Sequence, residues 1–335
     1  MTIKGLRSAG VGMTSPLSNI RNNIDYAAKA GLNCLNIMVK PADISAIKSG
    51  GTDYIRDAIE YAKTKGMVIF ITANLSRYNG NSFNDFHLST KKAAQDAFIA
   101  DFDYILNRYP GLAGIELEEP YVHHTNLPDG GASARTFYNA FFTALKNKIG
   151  NNRIAAGFNF GCNNATNVAS SNLKMGFDSD YINVNRIFTY FAVQASEQDL
   201  TIFRNQINGW KARMPNIEIG TWVYLTYSTL IKQTICSAAW DSPACWNEGF
   251  FTELKWCRDN NIPFDIFILE RMERSSVYWP NDPTPGATAG DKIKSILGDT
   301  VTPPVTPPVT PPVTPTQDDS IEKALIALIL AFFLL

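Results

Sequence analysis

One short stretch of the chain, Gly114-Ile115-Glu116-Leu117-Glu118-Glu119-Pro120, carries three carboxylates in four residues. Read as a strand, it puts Ile115 and Leu117 on one face and Gly114, Glu116 and Glu118 on the other. Carboxylates two apart on one face repel, and at least one is then held protonated to higher pH unless a cation neutralises it. A group of that kind can donate a proton to a leaving atom. Glu116, the deeper of the pair, is expected to find a partner such as Lys40, which leaves the chemistry to Glu118 or Glu119. A second acid, Glu270, ends the apolar run Phe264-Asp-Ile-Phe-Ile-Leu. It either supplies the base or nucleophile of a two-carboxylate site or pairs with Arg271 or Arg186 at a rim.

Around these three catalytic candidates the expected strand ends offer amides, a guanidinium and flat rings: Asn74, Asn159, Asn185, Arg186, Trp222, Tyr224 and Trp279. That mixture suits hydrogen bonding and ring stacking against a polar ligand. Gly157 and Asn159 share one strand face, as do Trp222 and Tyr224, and alternation is the only guide to which face points inward.

The elements that must position these groups alternate along residues 4–297 between short apolar runs and helix-period segments, the signature of βα units around a parallel sheet. Eight strands are predicted near Leu6–Gly12, Cys34–Lys40, Met67–Asn74, Ala113–Glu118, Arg153–Phe160, Tyr181–Ile187, Ile217–Tyr224 and Phe264–Glu270. Helix signals fall between them. Ser18 precedes Ile20, Ile24 and Ala27 with a stop at Gly31; Thr52 precedes Ile55, Ile59 and Ala62 with a stop at Gly66. Phe98, Phe102 and Ile105, then Phe137, Phe141 and Leu145, then Phe203, Ile207 and Trp210, then Phe250, Leu254 and Cys257 repeat the apolar stripe. Eight such units close more naturally into a (β/α)8 TIM barrel than into an open sheet, and no GxGxxG follows the first strand. Active sites of this architecture sit at the carboxyl ends of the strands.

On these residues the chain resembles the TIM-barrel glycoside hydrolases. Glu118-Glu119-Pro120 at the end of the fourth strand is similar to the Asn-Glu-Pro of the clan A families. The resemblance implies Glu119 as acid/base and Glu118 in the place of the asparagine that holds the sugar 2-hydroxyl. It departs at the seventh strand, where those families carry their nucleophile and Gly220-Thr-Trp-Val-Tyr224-Leu-Thr has no carboxylate; Glu270 on the eighth would have to serve. Gly114, Glu116 and Glu118 also match the spacing of the chitinase-type fourth strand, with Pro120 where the acid stands. A barrel roughly 15 Å across lets two glutamates from opposite strands approach to about 5 to 8 Å, a range that spans retaining and inverting glycosidases. The implied enzyme is a glycosidase for a polysaccharide or surface glycan, a monomer on a carbohydrate substrate, with no cofactor and no metal.

Two other readings stay open. A barrel that binds glycan or protein without turnover fits the missing seventh-strand acid. A metal-dependent, phosphodiesterase-like hydrolase would use His123 and His124 beside the fourth-strand acids, but adjacent histidines lack the i, i+4 spacing that aligns two ligands on a helix. Net charge is -1 with 18% charged residues, so no basic stripe awaits nucleic acid. No GxSxG and no CxxC occurs. Cys236 and Cys245 are spaced to close one loop by a bridge.

Composition changes sharply after Gly298. Residues 1–299 are the expected barrel and catalytic domain. Residues 300–319, with Val-Thr-Pro-Pro repeating, read as an extended Thr/Pro-rich linker, since proline fixes φ and removes donors. Residues 320–335 end in an apolar run of 12 from Ala324, short of the ~20 that cross a bilayer, and read as a hydrophobic C-terminal anchor or sorting segment. This tail points to an extracellular or cell-surface protein with membrane attachment through its C-terminus. The start, Met1-Thr-Ile-Lys-Gly, has no apolar leader, which implies a leader missing from the sequence or an unusual export route.

Overall fold

A computed structural model describes residues 6–11, 19–74, 85–118, 121–122, 127–150, 154–160, 173–194, 200–224, 248–267 and 289–298. For 154–160 and for several strand ends, the description covers the backbone alone. The linker, the C-terminal segment, Cys162, Cys236, Cys245, His123 and His124 lie outside these residues.

Eight parallel strands form a closed barrel in chain order: β1 (Arg7–Val11), β2 (Cys34–Met38), β3 (Val68–Asn74), β4 (Gly114–Glu118), β5 (Ile154–Phe160), β6 (Tyr190–Gln194), β7 (Glu218–Tyr224) and β8 (Phe264–Phe267). The ring closes where β1 meets β8, Ser8 opposite Asp265 and Ala9 opposite Ile266. Around it stand the helices α1 (Ile20–Lys29), α2 (Pro41–Lys48), α3 (Tyr54–Thr64), α4 (Lys92–Arg108), α5 (Ala132–Ile149), α6 (Ser179–Val184), α7 (Leu200–Arg213), α8 (Glu248–Asp259) and α9 (Ala289–Leu297).

Strand alternation sorts the chain into two cores. The outward rows, among them Leu35, Ile37, Ile69, Ile71, Ile115, Leu117, Phe191, Val193, Ile219 and Val223, pack under the helices with Ile24, Ile59, Phe98, Phe141 and Trp210. Phe98 and Phe102 stack in this layer with ring centroids 4.3 Å apart. A smaller inner cluster of Leu6, Cys34, Phe70, Tyr190, Ala192 and Trp222 plugs the barrel. The helices therefore bury one stripe each, and the barrel is filled rather than open along its axis.

The sixth strand is a correction. Tyr181–Ile187 alternates like a strand, yet it contains α6. Asp178 Oδ1 accepts from Tyr181 N at 3.0 Å as an N-cap, and Ile182 takes the buried face. The helix stops at Asn185 and Arg186, the latter at φ 48°, and β6 begins at Tyr190. Capping by Asp178 satisfies orphan N–H groups that a strand assignment leaves unexplained. The second helix signal also moves by one residue: Asp53, not Thr52, caps α3 by accepting from Arg56 N.

Candidate active site

The carboxyl ends of β3 and β4 carry the first two groups. Register pairs Asn74 with Glu118, and both fall in the inward row, continuing Phe70 and Thr72 on β3 and Glu116 on β4. Tyr224 ends the inward row of β7 opposite Phe267. Glu119, Glu270 and Trp279 lie outside the described residues.

Three expected binding residues sit elsewhere than expected, and a fourth is in place but buried. Asn185 and Arg186 precede β6 and so stand at the amino ends of the strands, away from Glu118. The Asn185 carbonyl accepts from Lys146 Nζ at 2.6 Å, in the last turn of α5. The cause is the α6 assignment above. Asn159 is in register with Val193, an outward residue, so it belongs to the helix-facing row of β5; Ala156, in register with Glu116 and Tyr190, marks the inward one. Trp222 does lie in the inward row, but it is 4% exposed in the apolar plug, where a ring packs rather than presents a face. In place of Asn185 and Arg186, the carboxyl end of β6 brings Gln194 into register with Trp222 and Phe160.

Directly below the mouth is a polar layer that the sequence reading missed. Glu116 does not pair with Lys40, which is the N-cap residue of α2. Its Oε1 accepts instead from Asn36 Nδ2 at 3.2 Å and Thr72 Oγ1 at 3.3 Å. The same Asn36 nitrogen donates to Asp265 Oδ2 at 3.3 Å, so one amide joins acids from β4 and β8. The single hydrogen of Thr72 Oγ1 is shared with Asn36 Oδ1, the nearer acceptor, which fixes the amide's orientation. Glu116 is 1% and Asp265 4% exposed. Burial drives the Asp265 carboxyl up to about 7, against the pull of Asn36, the Ser8 hydroxyl and the Gly10 N–H. Burial, then the charges of Asp265 and Glu116, likewise raises the Tyr190 phenol. The signal was present in sequence: Asn36 within Cys-Leu-Asn-Ile-Met and Asp265 within Phe-Asp-Ile-Phe are polar residues on the inward parity of otherwise apolar strands.

Comparison with known proteins bears on this architecture. Neither a protein-family model nor a curated protein sequence matches the chain. Among solved structures, the endo-1,4-beta-mannanase of Rhizomucor miehei superposes with a TM-score of 0.59 at 15% identity, over 87% of this chain and 94% of that one. What the two chains share is the barrel fold. The endo-beta-1,4-mannanase of Thermotoga petrophila gives 0.60 at 13% identity, covering 88% and 77% of the two chains. A family 5 glycoside hydrolase of Prevotella bryantii gives 0.57 at 11%, covering 88% and 96%. Identities this low carry the barrel fold alone.

Proposed function

We propose that the protein is a glycosidase acting on a polysaccharide or surface glycan through two carboxylates. The observation that carries this reading is the inward row of β4 in a glycosidase-type barrel, which brings Glu118 to the carboxyl mouth beside Asn74. Glu119 or Glu118 donates a proton to the glycosidic oxygen as the bond to the sugar breaks. Glu270 either attacks the sugar carbon or takes a proton from the water that does. The barrel works on the outside of the cell, carried by residues 300–319 and held by residues 320–335.

A second reading has its own support. The inward row of β7 ends in Trp222 and Tyr224 with no acid at its carboxyl end, which suits a barrel that binds glycan without cleaving it.

The full chain is screened on chromogenic glycosides and polysaccharides, with and without a chelator, beside Glu119→Gln and Glu270→Gln. Turnover that falls about 10²- to 10⁴-fold in both variants and ignores the chelator is the expected result. Turnover untouched by either substitution removes the site assignment, and chelator-sensitive turnover points to a metal. Binding without turnover favours the second reading.

A further inference from the structure

Three residues past Glu118 the chain is already back in the core. Tyr121 and Val122 are both buried. The Tyr121 ring meets Phe177 edge to face with centroids 6.2 Å apart, and Val122 N donates to the Met175 carbonyl at 2.8 Å. Phe177 in turn packs on Phe142 of α5 and Phe191 of β6, with centroids 6.5 and 5.6 Å away. On the other side, the backbone at Glu118 is fixed by register with Asn74 on β3 and Phe158 on β5. Only Glu119 and Pro120 separate these two fixed points.

The strip that receives Tyr121 and Val122 is itself held from its far side. The Leu173 carbonyl accepts from Arg135 Nη1 at 2.8 Å and from Gly176 N at 3.2 Å. The same Arg135 nitrogen donates to the Gly130 carbonyl at 3.0 Å, just ahead of α5. Gly131 runs so close to this strip that a Cβ there would stand 2.7 Å from the Leu173 oxygen and 2.6 Å from that of Lys174. Residues 173–177 are thereby wedged between the chain that leaves β4 and the first turn of α5, and close packing passes a shift of one to the other. Little freedom is left between the fixed points, because proline sets its own φ and keeps the residue before it out of the helical region.

We propose that Tyr121, seated on residues 173–177, is a positioning residue for the carboxylates at the end of β4. On the glycosidase reading, on which this inference rests, those carboxylates include the proton donor, and misplacing such a group by about 1 Å slows a reaction about 100-fold. Tyr121 acts from the core side and touches no substrate. Its buried ring gives the chain that leaves β4 one direction, and the strip 173–177 ties that direction to α5 and β6. A core aromatic without this task would contribute to stability alone.

Full-length Tyr121→Leu and Tyr121→Phe are compared with the parent and with Phe102→Leu, which removes a buried ring stacked on Phe98 of α4. In Tyr121→Leu, kcat should fall about 10- to 100-fold while KM stays within about twofold, and the basic limb of the pH profile of kcat, set by the proton donor, should move. Tyr121→Phe, which keeps the ring, should restore most of kcat. Phe102→Leu should lose stability and keep the kcat and pH profile of the parent. Tyr121→Leu behaving as Phe102→Leu does overturns the proposal. A parent without turnover removes the glycosidase reading instead, and amide hydrogen exchange then decides the positioning role, as it does if Tyr121→Leu fails to fold. For that measurement Arg135→Ala releases the Leu173 carbonyl from the far side of the strip. The amides of Glu118, Glu119, Tyr121 and Val122 should exchange about tenfold faster than in the parent, with Ile115 unchanged. Equal rates at all of them overturn the proposal.

Discussion

Thr72 does more for the barrel than its size suggests. Its hydroxyl donates to Asn36 Oδ1 and lies in reach of Glu116, and it is 3% exposed. Thr72→Val keeps the shape and leaves a buried amide oxygen without that donor. The variant should lose about 1–3 kcal/mol in urea unfolding, whereas Ser, which restores the hydroxyl, should recover most of it. Gly220 is constrained by close approach rather than by φ. A Cβ there would collide with the Tyr190 ring and with the Pro263 carbonyl. Gly220→Ala is expected to cost about 1–3 kcal/mol, and Tyr190→Phe should not rescue it, because the backbone carbonyl remains. Denaturant midpoints of the single and double variants check both statements.

Among the elements, α3 shows how one side chain ties two helices together. Asp53 caps α3 by accepting from Arg56 N at 3.1 Å, and it also accepts from Arg108 at 2.8 Å and from the Tyr109 hydroxyl at 2.8 Å at the end of α4. Burial alone would raise its carboxyl, but these donors together outweigh it and hold the carboxyl below its ordinary value. A depressed folded value means stability that is present above the unfolded pKa and lost as pH falls through the folded one. Asp53→Ala should therefore cost about 1–2 kcal/mol at neutral pH, with a smaller difference in strong acid, read by urea unfolding at both. The contrast with α6 is informative. Both helices begin at an aspartate cap, but α3 announces itself through a long apolar stripe, whereas α6 has six residues and reads equally well as alternation. A segment that short has too few turns for periodicity to decide, so only the cap could have found it.

For the whole molecule, ring closure makes stability a collective property. The last helix fastens both ends of the ring, since Leu297 O accepts from Arg7 of β1 and Ile296 O from Arg258 of α8. Cutting the chain before Ala289 should broaden and lower the thermal transition, while cutting after Gly298 should leave the midpoint unchanged; calorimetry distinguishes the two. Asp53 and Asp265 are shifted in opposite directions, so their contributions to stability change with opposite sign as pH rises.

The periodic apolar pattern by itself determined a parallel (β/α)8 barrel, because strands buried on both faces alternate with amphipathic helices in only a few closed arrangements. It also set Glu118 and Asn74 on one parity at adjacent strand ends, since alternation along an established strand leaves no freedom. What only the tertiary structure decided was how strands sit beside one another. Register moved Asn159 to the outward row, the α6 assignment moved Asn185 and Arg186 to the opposite end of the barrel, and Trp222 became part of the plug. Asn36, Glu116 and Asp265 are 80 and 149 residues apart along the chain, and no local rule joins them. They meet because closing the ring through β1 and β8 turns three inward rows onto one axis, and the loss of water there makes each unpaired charge expensive.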